Sequence, residues 1–202
     1  EWKYQKQNQQ VHRLAKQDVS MDVGAAGMTK PVLDSLFQKL CKAVITESWL
    51  LGILTALYIC GSEKISRTWQ TVYASRRGRA IQKEKFAAGI LYTLGAYAVT
   101  ALISCAVFEA VWHLGDIWNT NMSTQFYYIE VIGWKLPFVP WVSFTVCEYL
   151  GATLGMGAVT VTVFYGLGYV AGLLTKNSFA GFLLIFVVLA LNFEIGISKS
   201  LK

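Results

Sequence analysis

The positions of the basic residues constrain this chain more than any other feature of its sequence. Seven of the eighteen Lys and Arg residues lie in Ser62–Lys85, a short polar segment between two apolar runs. The following 49 residues, Phe86 to Trp134, contain neither Lys nor Arg. Such sorting of basic charge is typical of membrane proteins, whose cytoplasmic loops hold the excess. The segment therefore predicts a cytoplasmic loop between two membrane helices.

The composition agrees with a membrane protein and argues against an ordinary soluble domain. Hydrophobic residues make up 54% of the chain and charged residues only 15%, whereas about 25% charged residues is usual in soluble proteins. The net charge of +6 sits at the edges of apolar runs, so it gives no reason to expect nucleic-acid binding. We predict an all-α, polytopic membrane protein.

Four apolar runs are predicted to cross the membrane, since a helix needs about 20 residues to do so. They are span A, Ala43–Gly61; span B, Phe86–Leu114; span C, Gly151–Leu174; and span D, Phe179–Ile197. A helix from Pro31 onward is predicted to lie in the membrane interface before span A. A second interfacial segment, Trp141–Leu150, is predicted before span C.

This pattern divides the chain after residue 42. Residues 1–42 are predicted to form an extracytoplasmic polar segment without a sustained apolar period, ending in the interfacial helix. Residues 43–202 are predicted to form the transmembrane domain. If the basic loop 62–85 lies inside the cell, the N-terminal segment and the aromatic-rich loop Gly115–Pro140 lie on the outer side of the plasma membrane.

The basic loop contains an internal helical pattern. Apolar residues at i, i+4, i+7 and i+8 predict one face of a short amphipathic helix parallel to the membrane: Ile65, Trp69, Val72 and Tyr73. Glu63 and Arg67 have the spacing of a helical ion pair. A basic cluster follows at Arg76, Arg77 and Arg79. Contact of these arginines with lipid phosphates would be enough to explain the cluster.

Two further groups lie within the apolar runs. Span C holds two G-x-x-x-G pairs, a spacing that lets helices approach closely in lipid: Gly151 with Gly155, and Gly168 with Gly172. Three carboxylates fall toward the outer ends of their helices: Glu47, Glu109 and Glu148. They are predicted either to line an outer vestibule for a substrate or cation, or to reach the interface or pair with neighbours, which is the favoured interpretation.

Sequence motifs for enzyme chemistry are absent. The chain has no phosphate-binding loop, no serine-hydrolase elbow and no zinc-protease motif, and its four cysteines lack metal-ligand spacing. We therefore expect a protein that is not an enzyme and that holds no catalytic residue, cofactor or metal of its own.

Three short stretches of the sequence resemble the type 2 ATP-binding-cassette (ABC) permeases, the membrane subunits of many bacterial export systems. Gly61-Ser62-Glu63 matches the small-residue step and Glu that open that family's cytoplasmic coupling helix. Ser75-Arg76-Arg77-Gly78-Arg79, followed by Lys83 and Lys85, matches the turn before its third helix. Leu174-Thr175-Lys176-Asn177-Ser178 matches its turn between the fourth and fifth helices. The Tyr and Gly usual in the family's coupling segment are missing from Glu63–Thr68.

The resemblance implies a permease whose spans A to D are helices two to five of six. ATP and Mg would then be bound by a separate ATPase subunit, and a second permease subunit would complete the pathway. The residues implied to contact the ATPase are Glu63, Arg67, Trp69, Val72, Tyr73, Arg76, Arg77 and Arg79. Two other functions stay open: a non-transporting membrane assembly or immunity protein, and an ion-coupled secondary transporter that uses the three carboxylates.

Overall fold

The computed structural model describes residues 2–17, 29–65, 78–127, 140–175 and 180–183. Every regular element in these ranges is helical, and none of these residues belongs to a strand. The predicted all-α class is therefore confirmed for the described part of the chain.

Five α-helices account for most of the described residues. They are α1, Trp2–Gln17; α2, Thr29–Asp34; α3, Lys42–Ile65; α4, Gly78–Trp112; and α5, Val146–Leu174. A π-helical stretch, Ser35–Cys41, joins α2 to α3 without a break. Two 3₁₀ helices, Gly115–Asn119 and Met122–Tyr127, follow α4.

Three helical stretches are long and apolar enough to cross a membrane: Thr29–Ser62, Ala80–Trp112 and Val146–Leu174. They contain 34, 33 and 29 residues. At about 1.5 Å per residue they measure roughly 44 to 51 Å, which exceeds a hydrocarbon core of about 30 Å. These stretches contain spans A and C and nearly all of span B. Span D lies outside the described residues except for a helical piece at 180–183.

The helix boundaries differ from those predicted from the apolar runs. No break separates the expected interfacial helix at Pro31 from span A, and α5 begins at Val146 rather than at Gly151. Similarly, α4 begins at Gly78, ahead of the predicted start at Phe86. Hydropathy marks the part of a helix that lipid can cover, whereas capping groups and backbone geometry decide where the helix ends.

A left-handed residue ends α4. His113 has φ of 48°, and its backbone N–H donates to the Glu109 carbonyl oxygen at 2.9 Å. This is the geometry of an αL helix end, and histidine tolerates it better than most residues with a Cβ. Gly115, also at positive φ, then turns the chain into the first 3₁₀ helix.

The N-terminal helix α1 is a departure from the sequence prediction. Residues 1–30 lack a sustained apolar period, and no regular element was expected there, yet Trp2–Gln17 is helical. Gln, Lys, Arg and Ala supply most of this helix, and all four have high helix propensity. Local preference therefore favours this helix.

The threonines of α4 and α5 donate hydrogen bonds within their own helices. Thr93, Thr100 and Thr162 each donate to the carbonyl oxygen four residues earlier, at 2.8 to 2.9 Å. Thr153 and Thr160 do the same. Because an unpaired hydroxyl is costly in hydrocarbon, this local bonding makes threonine compatible with a membrane span.

The chain forms two compact units whose boundaries cut the long helices. Unit 1 comprises Glu1–Lys42 and Leu102–Gly155, and unit 2 comprises Ala43–Ala101 and Met156–Lys202. Each unit has its own apolar core. Unit 1 therefore combines the N-terminal residues with the middle of the chain.

The core of unit 1 joins residues from four stretches of the chain: Leu33, Leu36, Cys41, Phe108, Leu114, Met122 and Val146. Phe37 and Tyr149 pack edge to face beside them, with ring centroids 5.0 Å apart. Backbone bonds tie the 3₁₀ region to the approach of α5, since the Val146 N–H donates to the Thr120 carbonyl at 3.0 Å. The first part of the predicted Gly115–Pro140 loop is thus folded into the core.

Unit 2 is built from α3, the first part of α4 and the second part of α5. Ile53, Leu57 and Ala171 form one buried cluster. The rings of Trp49 and Phe164 pack beside it in a tilted arrangement, with their centroids 4.7 Å apart. A second cluster consists of Ala56, Tyr165 and Tyr169. Phe182, from the piece at 180–183, packs against the first cluster.

The two glycine pairs of α5 have different surroundings. A Cβ on Gly168 would lie 3.0 Å from the Ile53 Cα, and one on Gly172 would lie 2.8 Å from the Cys60 Cβ. At these two glycines, α5 touches α3 so closely that a methyl group has no room. Gly151 and Gly155 instead have open space beside them. One pair therefore lies at a helix contact inside the chain, and the other lies on an uncovered surface.

This difference predicts opposite outcomes for the same substitution. Gly168→Ala should lower the free energy of unfolding by about 1–3 kcal/mol, because the backbone of α3 must move to admit the methyl group. Gly155→Ala should leave it unchanged or raise it by about 0.5–1 kcal/mol through helix propensity. Unfolding of both variants in mixed micelles with increasing sodium dodecyl sulfate would measure the two values. Equal effects would contradict the proposed contact.

Candidate functional site

Most residues of the predicted coupling helix lie outside the described part of the chain. They are Arg67, Trp69, Val72, Tyr73, Arg76 and Arg77. Glu63 belongs to the last turn of α3 and Arg79 to the first turn of α4. The coupling helix stays a prediction.

The flanks of the basic segment are helical. α3 continues through residues 62–65, with the Ser62 hydroxyl donating to the Ile59 carbonyl at 2.9 Å. At the other flank, α4 already includes Lys83 and Lys85. The two membrane-length helices therefore reach into the segment from both sides, leaving only residues 66–77 between them.

A group of aromatic and polar side chains lies where α4 leaves this segment. We call it the tyrosine cluster: Cys60 of α3, Gln82 and Phe86 of α4, and Tyr165 and Tyr169 of α5. The Tyr169 Oη lies 2.7 Å from the Gln82 side-chain oxygen and 3.0 Å from the Gln82 backbone oxygen. A phenol has one proton, so it donates to one of these oxygens at a time.

Ring packing and a thiol complete the tyrosine cluster. Phe86 meets Tyr169 edge to face, with centroids 4.9 Å apart, and lies 5.5 Å from Tyr165. The Cys60 Sγ lies 3.6 Å from the Tyr169 carbonyl oxygen, within the range of a weak S–H···O bond. Tyr169 thus contacts both other helices of unit 2.

Tyr165 is the unusual member of the tyrosine cluster. It is completely buried, and its hydroxyl has no hydrogen-bond partner among the described residues. The Tyr165 Oη lies so close to Gly89 that a Cβ on Gly89 would collide with it. Gly89 is therefore required for close approach of α4 and α5. The sequence analysis did not single it out, although a glycine inside a membrane span is a recognisable signal of close helix packing.

The chemistry available in the tyrosine cluster is limited. It offers phenols, a thiol and an amide, and no carboxylate or imidazole. No group of three or more His, Cys, Asp or Glu side chains that could hold a metal occurs within the described ranges. The tyrosine cluster is suited to holding helices in register rather than to acid–base catalysis.

The three carboxylates singled out from the sequence have different surroundings. Glu47 is exposed on α3 in unit 2. Glu109, in unit 1, accepts a hydrogen bond from the Trp118 Nε1 at 2.9 Å. Trp118 belongs to the aromatic-rich loop Gly115–Pro140 of the sequence analysis. Its bond to Glu109 fastens the 3₁₀ region to α4.

Glu148 forms a capping box with Thr145 at the start of α5. The Thr145 N–H donates to the Glu148 Oε2 at 2.9 Å, and the Glu148 N–H lies 3.2 Å from the Thr145 Oγ1. The sequence signal is T-x-x-E before an apolar run. It was missed because Glu148 was considered only as a membrane carboxylate. Hydrogen bonds within unit 1 are enough to explain the presence of Glu109 and Glu148 in these helices, so a transported ion is not needed to explain them.

Comparison with protein-family models, with curated proteins and with solved structures finds no match to this chain. The resemblance to type 2 ABC permeases rests on the three sequence motifs alone.

The two tyrosines of the tyrosine cluster are expected to respond differently to loss of the hydroxyl. Tyr169→Phe should lower the free energy of unfolding by about 1 kcal/mol, because the hydrogen bond from the phenol to Gln82 is lost. Tyr165→Phe should leave it unchanged or raise it, because no described residue forms a hydrogen bond with the hydroxyl that is removed. Micelle unfolding of the two single variants measures the difference. A loss in Tyr165→Phe as large as in Tyr169→Phe would show that its hydroxyl is bonded after all.

A second pair of variants separates capping from charge at Glu148. Thr145→Ala should fray the first turn of α5 and cost about 1 kcal/mol. Glu148→Gln should preserve the turn, because Gln also closes a capping box. Hydrogen exchange of peptides covering residues 146–150 reports the fraying directly. Rapid exchange in Glu148→Gln with slow exchange in Thr145→Ala would contradict this assignment.

Proposed function

We propose that this chain forms part of the membrane-spanning permease of an ATP-driven transporter of the bacterial export type, in the plasma membrane. A separate ATPase subunit would dock on residues 62–85 and hold the ATP and Mg. The observation that carries the proposal is the tyrosine cluster, which lies at the α4 end of that segment. It supports the proposal because a coupling segment needs a firm connection to the helices that it moves.

The proposed mechanism follows the contacts of unit 2. A displacement of the basic segment would move the first turns of α4, which contain Gln82. The Tyr169 phenol would carry that movement to α5, and Cys60 lies beside the same residue on α3. Since packed helices shift as rigid bodies rather than deforming, ATP-driven closure at the segment would tilt α3 and α4 as levers.

The exposed surface of α4 is the observation that supports a second permease subunit. Large apolar side chains are exposed along this helix: Leu91, Tyr92, Val99, Leu102, Ile103, Val107 and Val111. A surface of this kind needs lipid or a second membrane subunit to cover it. A substrate pathway between two such subunits would need no charged residue from this helix.

Ion-coupled transport has less support than the ATP-driven alternative. Glu109 and Glu148 are hydrogen bonded within unit 1 and Glu47 is exposed in unit 2. A coupling-ion site usually has paired or converging carboxylates near the middle of the membrane.

The decisive residue for the proposal is Trp69. Affinity-purified full-length chain, expressed in its native host, should retain a nucleotide-binding protein with ATPase activity. Trp69→Ala should insert at normal levels yet lose at least about 90% of the retained ATPase, because large aromatics dominate docking energies. The measurement is the ratio of ATPase activity to purified chain.

Tyr58→Ala is the matched control, because Tyr58 is an exposed aromatic of α3 outside both the basic segment and the exposed surface of α4. It should retain the ATPase. Full retention by Trp69→Ala, or absence of any nucleotide-binding protein from the wild-type sample, would argue against the coupling role. Transport that follows an ion gradient and ignores ATP depletion would favour the secondary transporter.

A further inference from the structure

The helix α1 combines uniform positive charge with an exposed apolar strip. Trp2–Gln17 contains four basic residues and no acidic one: Lys3, Lys6, Arg13 and Lys16. Tyr4 and Val11, seven residues apart and hence on one face, are 77% and 50% exposed. Positive charge beside a narrow apolar strip is the pattern of helices that lie in the membrane interface.

One contact within unit 1 connects α1 to the approach of α5. The Arg13 guanidinium lies over the Trp141 ring, 5.6 Å from its centroid, which is within cation–π range. Trp141 is 79% exposed, and Val142 beside it is 59% exposed. The contact therefore covers little of the indole, and most of that ring is available to another apolar surface.

Trp141 marks the level of the membrane interface. It lies just ahead of Val146, where a helix long enough to cross the membrane begins. Tryptophans at such helix ends settle among lipid headgroups, because the indole is apolar with a single donor. The Arg13 guanidinium lies over this ring, so it lies at the same level and can reach lipid phosphates.

We propose that α1 lies on the membrane surface and binds anionic phospholipid headgroups, with Arg13 on Trp141 as its anchor. Tyr4 and Val11 enter the boundary between headgroups and acyl chains. The lysines and Arg13 bind lipid phosphates, which complement a helix that has no acidic residue. This role is independent of the proposed transport function and needs no ATPase.

A bilayer surface fits these observations better than a soluble polyanion does. A nucleic acid would complement the charge but leave Tyr4, Val11 and Val142 in water. Anionic lipid satisfies the basic and apolar residues together. The apolar area alone is small, so binding is expected to depend on the charge of the lipid.

Hydrogen exchange of the full chain in nanodiscs tests the proposal. Amides of α1 should exchange more slowly in equal parts phosphatidylcholine and phosphatidylglycerol than in phosphatidylcholine alone. Arg13→Gln/Lys16→Gln should reduce this protection roughly 25-fold, or about five-fold per charge, since each basic residue near an anionic surface contributes about 1 kcal/mol. Gln has nearly the helix propensity of Arg and Lys, so the helix itself is retained.

The matched control removes two exposed lysines elsewhere, Lys39→Gln/Lys83→Gln, and should keep the protection. About 0.5 M NaCl should abolish the protection in the wild-type chain, because it screens surface charge within a few ångströms. Equal exchange in the two kinds of nanodisc would overturn the proposal. So would protection that appears only after a nucleic acid or a second protein is added.

Discussion

The close approach of α5 to α3 is the constraint on which unit 2 depends. In lipid the hydrophobic effect does not drive helices together, so contact area and backbone proximity must do so. Gly168 and Gly172 permit that proximity on one side of α5, and Gly89 of α4 permits it against Tyr165. With the helices this close, Tyr169 reaches Gln82 and the phenyl ring of Phe86. The polar contacts of the tyrosine cluster are thus a consequence of the glycines.

Unit 1 is held together by a different set of interactions. Its core includes residues of two 3₁₀ helices, and hydrogen bonds at helix ends organise it. Glu109 bonds to Trp118, and Glu148 caps its own helix through Thr145. A half-buried ion pair joins Lys30 to Asp34, one turn apart on α2, with the Lys30 Nζ 2.7 Å from the Asp34 Oδ2. These three carboxylates, Glu109, Glu148 and Asp34, therefore have structural partners close in sequence, which is how a span end tolerates them.

Much of the fold could be predicted from hydropathy, and much of the site could not. Spans A, B and C lie in the three membrane-length helices, because about 20 apolar residues have few alternatives to crossing a bilayer. Hydropathy missed α1, whose helix rests on propensity, and it misplaced the start of α5 by ignoring the T-x-x-E cap. It also treated the glycine pairs alike, since spacing alone cannot say which face meets another helix. Gly89 was overlooked although a glycine inside a membrane span signals close helix packing, and no sequence pattern could single out the Tyr165 hydroxyl.

The sequence by itself determined the all-α class, the membrane-length helices and the concentration of basic charge between α3 and α4. These follow from local properties: apolar length, helix propensity and the position of charges along the chain. Only the tertiary structure decided that Gly168 contacts Ile53 while Gly155 faces open space, that Tyr169 bonds to Gln82, and that Arg13 sits on Trp141. Each of these contacts joins residues far apart in sequence, and the rotation of each helix about its axis selects them. That rotation is set by packing against neighbouring helices, because the apolar faces of a membrane helix are nearly equivalent to the lipid around it.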